Sequence, residues 1–430
     1  MMLGLEKLKP VHKVTALTVL ASIVLIFAFY SFFYVNRDSG YFSDILNGVY
    51  DRYLQLNRSG LDGDRGQPVV VDFDDATMRS LGDPVLVPPQ AEALVLQRLA
   101  AQRPRLVFFD LDLTYLSGDE ARIVGQALSQ LAESGIPVLL ARDVLPDTNG
   151  ANGRYRASPL DALVAASPNL TWVTPMLWAD ENDGVTRHFH VVSSAALHGR
   201  QTVLPSPALA VLLFDVTGSL PAAERAFADG LAGRATCMPD RAPPRWLVIC
   251  TGRGNAAIDM QSPARIAYRF GWDPGEALPA QTLLRHADRF DQTVLRDRIV
   301  VIGSSAGGRD FAHTPLKRMP GLMIHANAMH AWLTSRPDRG LSFWWGAGFV
   351  VPFATAVALF MVVVIRWTPE RFRSALRTAI PFILTMIFWA IFQLLDAPAI
   401  AVGLFPVAFM LFAVIALAER WFERLFIPPP

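Results

Sequence analysis

Carboxylates stand at the ends of apolar runs in this chain, and they recur in the same way. Val69-Val70-Val71 runs into Asp72 and Asp74, and Leu106-Val107-Phe108-Phe109 runs into Asp110 and Asp112. A third run, Ile299 to Ile302, leads into Gly303-Ser304-Ser305-Ala306-Gly307-Gly308 and then Arg309, Asp310, His313, Thr314, Lys317 and Arg318, with His325 and Asn327 shortly after. Carboxylates gathered with one histidine could hold a hard cation such as Ca²⁺ or Mg²⁺ through oxygen ligands, or move protons as an acid and a base. The glycine-rich stretch leaves backbone N–H groups uncovered, and Arg309 or Lys317 beside them could complete an anion site. Other chemistries are poorly represented. Ser304 and Ser305 follow a strand-like run without a G-x-S-x-G elbow, and Gly303 to Gly308 lacks the Lys-Ser/Thr ending of a phosphate loop. His188 and His190 alternate, but no metal-ligand spacing surrounds them. The candidate ligand-binding set is therefore Asp72, Asp74, Asp110, Asp112, Ser304, Ser305, Arg309, Asp310, His313, Thr314, His325 and Asn327, with no catalytic residue, metal or cofactor assigned. Against it stands a local reading: Asp at a strand end caps the next loop or helix, and His325 and Asn327, near a helix start, satisfy nearby backbone.

The elements that must position these groups alternate between two periods. Residues 69–74, 106–112, 136–140 and 299–302 are short, β-branched or apolar runs of the kind buried on both faces of a parallel sheet. Between them, Pro88 to Arg103 and Asp119 to Ser134 place apolar residues at helical spacing, and Leu322, Ile324, Met329 and Trp332 do so after Pro320-Gly321. Strands alternating with helices imply right-handed crossovers and an α/β fold with a mixed, mainly parallel sheet and flanking helices. Ligands in such sheets collect beyond the carboxyl ends of the strands. Further strands are expected at 170–177, 188–193 and 246–250, helices at 41–56, 207–215 and 221–233, and a loop at 147–153.

Composition adds a membrane. Of 430 residues, 52% are hydrophobic and only 18% charged, and the excess sits at the two ends. Residues 14–35, 343–365, 378–395 and 397–418 carry no charge and are long enough for a hydrocarbon core of about 30 Å at about 1.5 Å per residue. Lys7, Lys9 and Lys13 precede the first run, Arg366, Arg371, Arg373 and Arg377 separate the second from the third, and Arg420 and Arg424 follow the fourth. By the positive-inside rule residues 1–13, 366–377 and 419–430 face the cytoplasm and 36–342 lie outside. The first run is longer and more aromatic than a cleaved leader, and no small-x-small site follows it. The runs hold almost no ionisable residue, which argues against conduction, while Gly346, Gly348, Ala354, Ala356 and Ala358 offer a close-packing face for a neighbouring helix or a second copy. A formal net charge of +1, without a basic stripe in the external part, argues against a nucleic-acid partner. Cys237 and Cys250 bracket a proline-rich segment, and in an oxidising periplasm they are expected to form a disulfide.

The VDFDD and FFDLDL stretches, followed by IVVIGSSAGGRDFAHTPLKRMPGLMIHAN, resemble the CHASE type 2 family of extracellular sensory domains associated with cyclases and histidine kinases. The likeness covers about Tyr41 to Leu333, and one span before the domain with three after it is the organisation the resemblance implies. It implies a receptor in a bacterial inner membrane, with a periplasmic domain that recognises a small molecule or a protein and with no enzymatic activity of its own. The family's receptors carry a kinase or cyclase domain beyond the last span, whereas this sequence has about a dozen residues after Ala418, so a separate signalling partner is expected. The alternative is a structural or assembly subunit of an envelope complex, and a periplasmic enzyme using the Asp/His cluster is a third reading.

Overall fold

Apolar runs buried on both faces set the central sheet. The computed structural model describes residues 67–145, 153–232, 263–273, 276–286 and 293–334, the backbone of strands 246–251 and 254–259, and residues 47, 51, 52, 54 and 55. The chain divides into two units, 1–53 with 340–430, and 54–339, and the second carries the fold described here. In chain order its main elements are β1 (Val69–Asp72), α1 (Asp75–Ser80), α2 (Pro89–Gln102), β2 (Leu106–Phe109), α3 (Gly118–Glu133), β3 (Val138–Ala141), β4 (Leu170–Val173), β5 (Leu278–Pro279), α4 (Ala280–His286), β6 (Ile299–Gly303), β7 (Phe311–Thr314), β8 (Lys317–Pro320) and α5 (Gly321–Thr334).

Six strands form one parallel sheet in the order β5-β1-β6-β2-β3-β4. Alternate side chains serve the two faces. Val71, Val107, Phe109, Val138, Leu140, Val300 and Ile302 join Leu96 and Leu99 of α2 and Val124, Leu128 and Leu131 of α3 in one core cluster. On the opposite face Phe108 meets His325 of α5, their rings edge to face at 5.6 Å. The helix starts follow local chemistry. Pro89 supplies the fixed φ of a first helical turn, and Ser117 with Glu120 makes a capping box for α3, the Ser117 N–H donating to Glu120 Oε2 at 2.8 Å.

β6 comes last among the sheet strands yet lies between β1 and β2, in a register that sets Asp72 beside Gly303 and Phe109 beside Ile302. Glycine suits position 303, because a Cβ there would lie 3.0 Å from Leu322 Cβ, closer than ordinary contact, and 3.4 Å from the Asp110 carbonyl oxygen. That close approach lets α5 seat against the carboxyl end of the sheet.

Several expectations need correction. The stretch between β6 and α5 is not one polar loop: a short 3-10 turn at Ala306–Gly308 is followed by the antiparallel hairpin β7–β8. Thr314 closes the hairpin by donating its hydroxyl to the Lys317 carbonyl at 2.5 Å and accepting from Leu316 N at 3.2 Å. The run at 170–177 is two strands, β4 and Leu177–Ala179, broken at Pro175, which has no N–H for a ladder. β2 ends at Phe109, so Asp110 and Asp112 stand beyond the strand. Antiparallel pairing is confined to the smaller sheets: a three-stranded one with Leu177–Ala179, Thr186–Phe189 and Ala264–Arg265, a four-stranded one of mixed pairing around Val192–Leu197, and two two-stranded pairs. Among the described residues no helix is long and apolar enough to cross a membrane; the runs at 14–35, 343–365, 378–395 and 397–418 lie outside those residues.

Leu99 is fully buried in the α2–α3 core. Replacing it with alanine is expected to lower unfolding free energy by about 3 kcal/mol, read as a fall in the denaturant midpoint of the full-length protein.

Candidate functional site

The carboxyl edge of the sheet carries two groups of polar side chains, and they behave differently. At β1 and β6, Asp72 is only 2% exposed and accepts from Ser305 twice, from the backbone N–H at 2.8 Å and from Oγ at 2.5 Å. Burial pushes its pKa up to about 6, against the pull of both Ser305 bonds, with Asp74 and Asp75 adding to the rise. Asp74 caps α1 by accepting from Thr77 N at 2.7 Å, Ser304 Oγ donates to the Phe73 carbonyl at 2.9 Å, and Gly307 N donates to Asp75 Oδ1 at 2.8 Å. The glycine-rich turn is thus fastened by the chain's own carboxylates. The anion site expected there is corrected: the N–H groups of Ser305 and Gly307 already have anionic partners.

The remaining members of the expected set scatter. Arg309 is exposed and reaches the Val85 carbonyl at 3.5 Å, His313 is exposed on β7, and Thr314 closes the hairpin. Asn327 is completely buried and works as a clamp: it accepts from the N–H groups of Arg269 and Phe270 at 2.8 and 2.9 Å and donates to the carbonyls of Phe270 and Met323 at 3.2 and 2.9 Å. None of Asp72, Asp74, Ser304, Ser305, Arg309, His313, Thr314 or Asn327 lines the cavity described next. His188 and His190 do not line it either, and burial lowers the pKa of both.

Beyond β2 and β3 a cavity of about 300 Å³ opens, with Asp110, Asp112, Asp143, Asp310 and His325 around it and Leu111, Ala141, Pro175 and Leu177 as its apolar part. Its volume is at the small end of ligand sites, about 300–1,000 Å³. Asp110 and Asp112 follow β2, Asp143 follows β3, Asp310 comes from the turn before β7, and His325 projects from the second turn of α5. Asp143 is absent from the expected set, although Val138 to Ala141 followed by Asp143 repeats the pattern of an apolar run ending in an acid. Pro175 and Leu177 had no comparable signal, since they arrive through the neighbouring strand β4.

Burial dominates the electrostatics. It holds the Asp110 carboxyl well above the usual carboxylate range, with Asp310 and Asp143 adding repulsion. It raises Asp310 to about 6, with Asp143 adding and the Gly321 N–H opposing. Asp310 leaves much of its surface in solvent, but its carboxyl turns inward: Gly321 N donates to Oδ2 at 3.1 Å, and a Cβ at Gly321 would lie 2.3 Å from that oxygen. Burial also raises Asp143, helped by Asp112 and opposed by Arg156, and pushes His325 down to about 4. His325 Nε2 lies 4.0 Å from Asp110 Oδ2, beyond hydrogen-bond reach. At neutral pH the imidazole is therefore neutral, the Asp310 carboxyl is largely ionised, and the Asp110 carboxyl is held toward its protonated form. Among the described residues no three His, Cys, Asp or Glu groups converge to hold a metal ion.

A family model for the CHASE2 domain matches residues 20–365, a range that contains every element above. The chain belongs to the CHASE2 family. CHASE2 is an extracellular sensory domain, and a sensory role agrees with a polar cavity at the ligand-collecting edge of a parallel sheet. No curated protein and no solved structure matches the chain. In this CHASE2 domain the expected Cys237–Cys250 bond involves Cys237, outside the described residues.

Asn327→Ala is expected to cost about 3 kcal/mol by orphaning buried backbone groups, seen as a lower melting temperature. A second outcome concerns pH. Carboxyls raised in the folded state stabilise fully below their unfolded pKa, and that contribution is lost as pH rises through the folded value. Asp310, raised from 3.8 to about 6, and Glu92, raised from 4.5 to about 8, the latter 5% exposed and with no hydrogen-bond partner for Oε2 among the described residues, place the loss between about pH 4 and 8. The melting temperature of the full-length protein is expected to fall across that window, and Glu92→Gln to flatten the fall.

Proposed function

We propose that this chain is a multi-pass sensory protein of a bacterial inner membrane. In this reading residues 14–35, 343–365, 378–395 and 397–418 span the membrane, both termini are cytoplasmic, and 36–342 face the periplasm. The domain acts by binding and not by catalysis. It recognises its signal in the cavity bounded by Asp110, Asp143, Asp310 and His325, and it hands its state to a separate signalling or envelope-complex protein. The single observation that carries the reading is that cavity, at the carboxyl ends of β2 and β3, where parallel sheets place their ligands.

The arrangement of α5 supports a route outward. The helix begins on the Asp310 carboxyl through Gly321, carries His325 into the cavity wall, and ends at Thr334, shortly before the apolar run at 343 in the sequence. A ligand that engages Asp310 and His325 therefore touches the helix at its start and in its second turn. Ligand and helix position become linked, because a ligand shifts an equilibrium only by its differential contacts in the two states.

The test is a thermal-shift comparison on the full-length protein in mild detergent, with a small-molecule extract from the host's envelope. Leu177 lines the cavity, and Leu177→Trp would fill it. The extract is expected to raise the melting temperature of the parent protein by a few degrees and leave Leu177→Trp unchanged. An equal shift in both proteins, or none in either, would overturn the reading and favour a structural role in an envelope assembly.

A further inference from the structure

We infer that the cavity takes a small organic cation, an ammonium or guanidinium group on a short apolar body. The inference rests on the reading of the cavity as a ligand site and specifies its chemistry. Asp110, Asp112, Asp143 and Asp310 all border the space, and among the described residues no Lys or Arg lines it with them. Arg142, next to Asp143 in sequence, is buried and turned to Asp161 and to the ring of Trp172, 3.9 Å from its guanidinium carbon. Arg156 stands 3.8 Å from Asp112 and is stacked on Tyr115 at 4.0 Å.

His325 is the second, independent observation. The residue is 5% exposed, borders the cavity, and makes no hydrogen bond among the described residues; its nearest carboxylate oxygen is 4.0 Å away. An imidazole at a cavity wall that makes no hydrogen bond to the protein around it is left to bond what the cavity holds. Held neutral by burial, it presents one nitrogen that accepts and one that donates. An N–H-bearing cation satisfies Asp110 and the accepting nitrogen together, which a carbonyl or carboxylate ligand does not. Size and lining select an organic cation over a bare metal ion. About 300 Å³ is far more than one ion occupies, Leu111, Pro175 and Leu177 give an apolar body a surface, and among the described residues no metal-holding group of three ligands exists.

Binding is then coupled to protons. The groups around the Asp310 carboxyl are Asp110 and Asp112 after β2, Asp143 after β3, and His325 with the Gly321 N–H on α5, with Arg156 acting on Asp143 from beyond. With Asp310 titrating at about 6, a cation that needs its carboxylate binds roughly tenfold more tightly at about pH 7 than at about pH 5, releasing protons as it enters.

The experiment is calorimetric titration of the full-length protein with butylammonium and butylguanidinium, against 1-butanol, butyrate and Mg²⁺. The two organic cations are expected to bind saturably and more tightly as pH rises. Asp110→Asn and Asp310→Asn, with melting temperatures recorded to confirm folding, are each expected to weaken binding by tenfold or more, and Leu177→Trp to abolish it. Binding of 1-butanol, butyrate or Mg²⁺ in preference, or no binding of either organic cation, overturns the cationic class; a host-extract shift that Leu177→Trp still removes would leave the cavity as a ligand site. Organic-cation binding that persists in Leu177→Trp places the cation elsewhere and overturns the inference.

Discussion

β6 is threaded between β1 and β2, and its parallel register with both holds the carboxyl edge of the domain together. Asp72 comes level with Gly303 on one side and Phe109 with Ile302 on the other. Backbone bonds continue past the strand ends, from Phe73 N to the Gly303 carbonyl at 2.9 Å and from Asp110 N to the Ile302 carbonyl at 2.7 Å. Those bonds extend the ladder into the first residue of each loop. With no side chain at Gly303, α5 packs against the same edge, and its first turn falls where the Asp310 carboxyl can accept from Gly321 N. A strand buried on both faces has no solvent-exposed side on which to slip, which is why this register is strict.

Two acids in equivalent positions meet opposite fates because of their neighbours. Asp72 ends β1 and faces the Gly-Ser turn after β6, where Ser305 offers it an N–H and a hydroxyl. Asp110 follows directly after β2, and its neighbours are Asp143, Asp310 and a neutral His325. In the first place two hydrogen bonds offset part of the cost of burying a charge. In the second, like charges add to that cost and hold the carboxyls of Asp110 and Asp310 above the usual carboxylate range.

α5 joins these features. It is buried along nearly its whole length, from Gly321 to Trp332, so it cannot be re-sited without repacking the core. Its fixed points are polar: Asp310 at the N-terminus, and Asn327, which ties the helix to the backbone of Arg269 and Phe270. His325, between them, is the polar group on this helix that faces the cavity without a hydrogen bond of its own.

Much of this was legible in the residues. The apolar runs, the proline at the start of α2, and the shift of period from strand to helix depend on neighbours within a few positions, so they declared the α/β class and the main strands and helices of the parallel sheet. Asp110, Asp112, Asp310 and His325 were visible as carboxylates and a histidine near strand and helix ends; Asp143 carried the same pattern and was passed over. What the residues could not declare was which of them would meet. Asp72 and Ser305 are separated by 233 positions and Asn327 and Phe270 by 57, and their partnership depends on the order of strands across the sheet. That order is settled by crossovers and burial of whole faces, which no local pattern encodes. The sequence by itself therefore determined the kinds of element and the supply of acids at their ends. The tertiary structure alone decided which acids are satisfied by backbone and hydroxyl groups and which are left around an open cavity, because hydrogen-bond partners and desolvation are properties of a residue's three-dimensional neighbours.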